Sequence, residues 1–294
     1  MELITPVIIA GLTTGALYAL ATLGLSLVWG ALGMLNMAHG AMLTLGGYAA
    51  FAAVTQAGLP LPFGILAAIF VGAIAGAIIY GAVTKPLLNR APEGFETTIM
   101  IATFGVAIAL ENAILMVFGG QPFGQPVTIS GNLGQGGFTL PKQNLLIMLT
   151  ALVLMAGVAL YLKHSRGGRA IRAVAQNREA AELLGVSSSG VYLKVLVISG
   201  ALAGVCGLLV SSITQLSPTL GADPMLKAFI MCVVAGLGNI PGGIIASFGL
   251  ALIEAFVQYG FGARWGFPTL LAIVILVLIL RPAGLFGQTL VRRL

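Results

Sequence analysis

Charge is what this sequence has least of. Only 22 of its 294 residues carry a formal charge at neutral pH, 14 Lys/Arg and 8 Asp/Glu, or 7%. A soluble domain covers itself with about 25% charged residues, so a water-exposed globular fold is excluded. Cysteine is nearly absent as well. Cys206 and Cys232 both lie in apolar runs, which excludes a disulfide-stapled scaffold and fits two inert core thiols. No G-x-x-x-x-G-K-[ST] loop occurs, so the chain lacks the backbone cradle that holds nucleotide phosphates. No His/Cys/Asp/Glu set has metal-ligand spacing and no Ser/His/Asp set stands out, so neither a metal site nor an enzyme is indicated.

Apolar residues fill the space that charge leaves. They make up 59% of the chain, the mean hydropathy is +1.06, and the 41 glycines sit inside apolar runs. Glycine is frequent in membrane helices because it lets backbones approach closely. The composition therefore points to an all-α, polytopic membrane protein. Met1-Glu2 has no basic n-region and the first apolar run is of span length, so no cleavable signal peptide is expected.

A span needs about 20 apolar residues. Candidates run over 6–30, 33–56, 61–84, 97–118, 143–162, 191–213, 225–239, 241–260 and 266–280, which predicts eight or nine transmembrane helices. The seventh is short and is followed by Gly236, Gly238, Asn239 and Pro241, the mark of a half-helix or re-entrant piece. No linker or soluble domain interrupts residues 1–294, so one transmembrane domain is expected.

Charge placement sets the expected orientation. The loops 85–96 and 163–194 and the tail from Arg281 hold 11 of the 14 basic residues: Lys85, Arg90, Lys163, Arg166, Arg169, Arg172, Arg178, Lys194, Arg281, Arg292 and Arg293. Lys/Arg-rich loops stay in the cytoplasm. Nine crossings then put the N-terminus outside and the C-terminus in the cytoplasm, and the +6 balance reflects topology instead of nucleic-acid binding.

Helix contacts are expected at Gly11/Gly15, Gly72/Gly76 and Gly200/Gly204, and along Gly33, Gly40 and Gly47 on the second span. The outer connection 119–142 is Gly/Pro/Gln-rich and long enough to meet something arriving from outside.

The stretch 163–190 is the most informative. Residues 170–175 are helix-prone, with Ile171, Val174 and Ala175 on one side and Arg169, Arg172 and Gln176 on the other. Asn177 can cap a second short helix, Glu179 suits its first turn, and Gly185 can end it in the left-handed conformation. A basic loop lying on anionic headgroups would account for the arginines but not for this second helix with Glu182, Leu183 and Leu184. A docking knob for a cytoplasmic protein accounts for both.

Glu179-Ala180-Ala181 followed by Gly185 resembles the E-A-A…G loop of ABC-importer permeases, which docks on the ATPase subunit. Four stretches, 11–51, 168–186, 236–243 (GLGNIPGG) and 278–287 (LILRPAGLFG), resemble the branched-chain amino acid ABC permease family, in particular the shorter of its two paired permease subunits. The resemblance runs from about residue 7 to 287. It departs from the family at Met37, where phenylalanine is frequent, and at 260–265, where a more polar turn is usual.

The resemblance implies an ABC importer permease fold with docking loop 163–190. Coupling residues would be Arg169, Arg172, Asn177, Glu179, Ala180, Ala181, Leu184 and Gly185. It implies a bacterial-type inner membrane, a second homologous permease, two ATPase subunits that use ATP and Mg, and a periplasmic binding protein. No cofactor is expected on this chain. The family extends to transporters of urea, short amides and aromatic acids.

Polar residues inside the spans are the remaining candidates, since a charge there is costly and faces the bundle interior or a wet cavity. Glu111 and Asn112 lie in the outer half of the fourth span, and Glu254 and Gln258 in that of the eighth. The carboxylates either line a solute path or pair with Arg264 or Lys227 and hold helices together. Asn36 and His39, three residues apart and read as sharing one helix face, either line the route or bond a neighbouring helix end. Thr14 and Tyr18 share a face of the first span and would add hydroxyls to the same cavity. The rival reading is a secondary transporter or channel coupled through Glu111, Glu254 and His39, with the basic loop reading lipid.

Overall fold

The computed structural model describes residues 4–90, 95–125, 128–134 and 139–287. Arg292 and Arg293, which entered the orientation argument, lie outside the described residues. So do parts of the loops 85–96 and 119–142.

Twelve α-helices are present among the described residues: α1 (Ile4–Leu32), α2 (His39–Phe51), α3 (Leu61–Ile79), α4 (Lys85–Arg90), α5 (Phe95–Phe118), α6 (Lys142–His164), α7 (Arg166–Gln176), α8 (Arg178–Leu183), α9 (Ser188–Ser211), α10 (Ala222–Ala235), α11 (Ile240–Phe261) and α12 (Gly266–Leu280). Single π-helical turns extend α2 to Gln56 and α3 to Thr84. Two antiparallel ladders of two-residue strands, Phe123–Gly124 with Gln215–Leu216 and Asn132–Leu133 with Leu140–Pro141, tie down the connection after α5.

The fold is an all-α polytopic bundle. Seven helices among the described residues are long and apolar enough to cross a membrane. α1 is its axis: every residue from Gly15 to Val28 is buried, with α6, α9, α10 and α11 packed around it. A helix apolar on all sides requires neighbours on all sides. α5, α6 and α12 turn their apolar faces outward instead, with Phe104, Leu152 and Ile279 exposed, as lipid or another membrane protein requires.

Glycines let the central helices touch. Gly72 and Gly76 of α3 lie on the backbone of Gly200 and Leu196 of α9, and Gly204 lies on Ala68. Gly11 and Gly15 pack on Leu252 and Phe248 of α11. A Cβ at any of these sites would enter atoms already present, so the three predicted pairs are packing surfaces. Gly33 departs from expectation. It precedes α2, has φ +68, and receives the chain as α1 ends, so the seven-residue stripe reduces to Gly40 and Gly47. Glycine is required there because the left-handed region costs other residues a Cβ clash.

Two helices inside the bundle, α2 and α10, are not among the seven candidate spans. α2 has 13 α-helical residues and α10 has 14, about 20 Å each at 1.5 Å per residue. α2 starts beside Ser199, the twelfth of the 24 residues of α9, so it begins halfway through the bundle. α10 starts there too: Gly221 lies against the backbone of Gly40, and its N–H donates to the Thr44 hydroxyl at 2.9 Å. The N-termini of two half-helices thus converge at mid-depth. Irregular backbone at that depth survives only when protein buries it or it lines a cavity. Met34, Asn36 and Ala38 in the segment leading to α2 are indeed fully buried.

Candidate functional site

The knob is built as its capping residues dictate. Ser165 caps α7, accepting from the Gly168 N–H at 2.8 Å. Ile171 and Val174 of α7 are buried against the bundle, whereas Ala175, expected beside them, is exposed. Asn177 Oδ1 accepts from the Ala180 N–H at 2.9 Å and starts α8. Gly185, at φ +82, ends it: its N–H donates to the Glu182 carbonyl, and the Val186 N–H to that of Ala181, both at 3.0 Å. Two crossed bonds around a left-handed glycine satisfy carbonyls that would otherwise be orphaned.

This stop leaves Leu183 and Leu184 projecting at 90% and 84% exposure. Two adjacent leucines facing water on a capped tip are unusual for a solvated loop and suit a protein partner. Ala181 is buried and Glu179 and Ala180 are exposed beside them. α8 is tied to α9 through Arg178 and Glu182, an i,i+4 pair at 3.0 Å. Arg178 lies 5.6 Å above the Tyr192 ring, and Ser188 donates its hydroxyl to Glu182. The Ser188 hydroxyl first, and then Arg178, hold the Glu182 carboxyl below the usual carboxylate range. The sequence reading missed Arg178, Glu182 and Ser188 as tethers, although the R-x-x-x-E spacing was visible. Arg169 donates to the His164 carbonyl at 3.2 Å, and Arg172 points into a cavity beside Lys163.

A second polar site lies in the opposite half of the bundle. Lys227 of α10 meets Glu254 of α11 at 3.0 Å, with side chains 12% and 4% exposed. The Tyr18 hydroxyl donates to Glu254 at 3.1 Å and accepts from Lys227 at 2.7 Å. Gln258 donates to Glu254 at 3.0 Å, and Asp223, at 3.2 Å, is a second anion for Lys227. These groups line a cavity of about 270 Å³ that also takes in Thr14 and Thr214. Thr14 and Tyr18 line this cavity beside Glu254 and not one with Asn36 and His39. Thr14 also spends its hydroxyl on its own helix, at the Ala10 carbonyl. Of the two cations weighed for Glu254, the structure selects Lys227. Spacing could not, because the pair spans separate helices.

Asn36 and His39 lie elsewhere. Asn36 precedes α2, so the two are not on one helix face; its Oδ1 accepts from the Ala38 N–H at 3.1 Å and shapes the turn into the helix. His39 Nδ1 stands 3.4 Å from the Ser199 hydroxyl, and its ring packs on Gly24 of α1. The backbone of Ala21 in α1 is the other polar group at the His39 ring. Neither residue lines the cavity of Tyr18 and Glu254.

Glu111 and Asn112 are separate again. Glu111 is half-buried on the stripe of α5 that holds buried Ala107 and Ile114, while Asn112 is exposed and bonds its own helix at the Ile108 carbonyl. Two of the family-like stretches meet at the other end of the bundle. Asn239 caps α11 through the Gly242 N–H and donates to the Phe286 carbonyl, while the Leu285 and Phe286 N–H groups donate to Val234 and Ala235. GLGNIPGG and the segment after α12 thus form one closed turn at the foot of α10.

The family model described as "Branched-chain amino acid transport system / permease component" matches residues 7–280. The high-affinity branched-chain amino acid transport system permease protein BraD of Pseudomonas aeruginosa is 32% identical over 292 residues, covering 96% of this chain and 95% of that one. LivH of Escherichia coli K12, a permease protein of the same description, is 30% identical over 288 residues, with 95% and 94% covered. A probable branched-chain amino acid transport permease protein of Methanocaldococcus jannaschii, also LivH, is 28% identical over 286 residues, with 92% and 89% covered.

Proposed function

The chain belongs to the family of branched-chain amino acid transport system permease components, and from that premise we propose that it is an inner-membrane subunit of an ATP-driven importer. Its solute is a branched-chain amino acid or a related small polar molecule handed over by a periplasmic binding protein. A second, homologous permease completes the pore, and two ATPase subunits dock beneath. The N-terminus faces outside and the knob faces the cytoplasm, in keeping with the Lys/Arg count.

The observation that carries this reading is the knob. Its tip offers Leu183 and Leu184 to a partner, and its base is continuous with the bundle through α6, buried Ile171 and Val174, and the Arg178–Tyr192 and Glu182–Ser188 contacts with α9. Force applied at the tip reaches α1, α6 and α9 through packed side chains instead of through a flexible linker. Asn177, Glu179, Ala180, Ala181, Leu184 and Gly185 are the coupling residues on this reading. ATP and Mg belong to the partner subunits.

The cavity beside Lys227 and Glu254 offers both a cation and anions, which a zwitterion's carboxylate and ammonium need. The ion-coupled alternative requires His39, Glu111 and Glu254 to act in sequence. His39 instead faces Ser199, and Glu254 is paired with Lys227.

Co-purification tests the proposal. The intact chain should retain ATPase subunits, and Leu183→Asp with Leu184→Asp should lose them while inserting in the membrane normally. Retention unchanged by the double variant would overturn the docking role.

A further inference from the structure

A cavity of about 550 Å³ opens at the knob end of the bundle, between α1, α6, α7 and the start of α11. Its walls are apolar, including Leu27, Ala159, Leu162 and Ile240, and its charged groups are Lys163 and Arg172. Helices α1, α6 and α7 carry no carboxylate, and Glu254 of α11 is engaged at the far end of that helix. Neither Lys163 nor Arg172 has an ion-pair or hydrogen-bond partner among the described residues. Two cations thus stand uncompensated at the mouth of an apolar slot.

The depth of the slot also matters. Lys163 lies in the last turn of α6, where a span meets the headgroups. Ser26, six residues before the end of α1, also lines the cavity, so it reaches about 9 Å inward from that helix end at 1.5 Å per residue. Farther from the helix end α6 exposes Leu152 and Val153, and α11 exposes Ile245. A ligand that fits needs an anionic group joined to apolar chains that continue along those faces.

We propose that this cavity binds an anionic glycerophospholipid, its phosphate between Lys163 and Arg172 and its acyl chains along α6 and α11. Basic pockets between membrane helices hold acidic headgroups in this way. Arg172 then serves the lipid and not the tip of the knob. The lipid belongs to the cytoplasmic leaflet if the proposed orientation holds. The site itself does not depend on it.

Native mass spectrometry of the purified chain, with and without ATPase subunits and incubated with phosphatidylglycerol or phosphatidylcholine, tests the site without ATP or solute, so it can fail independently of the importer reading. The wild type should retain phosphatidylglycerol preferentially. Lys163→Gln with Arg172→Gln should weaken that retention about 25-fold, a fivefold loss for each basic side chain near the surface, while Lys142→Gln at the other end should not. Ala159→Trp, which fills the slot and keeps both charges, should also expel the lipid. Equal retention of both lipids, or undiminished phosphatidylglycerol in either slot variant, overturns the proposal. So does loss of the lipid when ATPase subunits bind, which would mean that protein covers the cavity.

Discussion

Lys227 of α10 and Glu254 of α11 meet at 3.0 Å inside the bundle, and the Tyr18 hydroxyl of α1 is hydrogen-bonded to both. Three helices are joined at one point, and α10 is the shortest of them. It is flanked by Gly221 and by Gly236 at φ +99. The ion pair is therefore a latch on a half-helix as well as a lining of the cavity.

Glu254→Ala leaves Lys227 without its most buried partner and should cost about 3–5 kcal/mol. The double change Lys227→Met with Glu254→Leu leaves no unpaired charge and should recover much of that stability. On the proposed path, uptake by the double variant stays low even so. Thermal unfolding in detergent, compared with uptake in proteoliposomes, separates the two effects; recovery of both would make the pair a helix tie alone.

Gly204→Ala puts a methyl into the Ala68 carbonyl at the crossing of α3 and α9. Overpacking of this kind should cost about 1–3 kcal/mol. Gly157→Ala on α6, where a Cβ meets nothing within 4 Å, should be neutral or stabilise by about 0.5–1 kcal/mol through helix propensity. Melting temperatures of the two variants check the contrast.

In the knob, Asn177→Ala removes the cap of α8 and should cost about 1 kcal/mol locally. Gly185→Ala forces a Cβ into the left-handed region and should cost about 1–2 kcal/mol. Hydrogen exchange over 178–186 should rise in both variants while the spans stay protected. ATP-dependent uptake should fall in step with that exchange.

The tether of α8 should be acid-sensitive. Glu182 is held below the usual carboxylate range by Ser188 and Arg178. A carboxyl whose value drops on folding contributes fully above its unfolded value, about 4.3, and loses that contribution as pH falls through the lower, folded value. Protection of α8 should therefore hold from about pH 7 to about pH 5 and weaken only below the ordinary glutamate range. Glu182→Gln should remove this acid step and start from weaker protection at neutral pH.

Much of the fold was legible because lipid imposes a coarse rule that composition alone can satisfy. All nine predicted segments appear as helices, but only seven helices among the described residues are long and apolar enough to span, and Gly236 to Pro241 marked the end of a half-helix. The knob was legible too, since Asn177 and Gly185 act through backbone groups within a few residues of themselves. The second segment misled for the same local reason. Residues 33–38 are as apolar as a helix start, yet Gly33 and Asn36 set a turn, and α2 begins only at His39.

By itself, then, the sequence determined a membrane bundle, its glycine contacts and a capped knob, because hydropathy, small side chains and helix caps act over short distances. Only the tertiary structure decided that Lys227 is the partner of Glu254, that His39 and Glu111 stand apart from them, and that α2 and α10 start face to face at Gly40 and Gly221. Each of those depends on which helices become neighbours. In a chain where nearly every helix is apolar, hydrophobicity does not choose among neighbours; close glycine packing and a few buried polar pairs do.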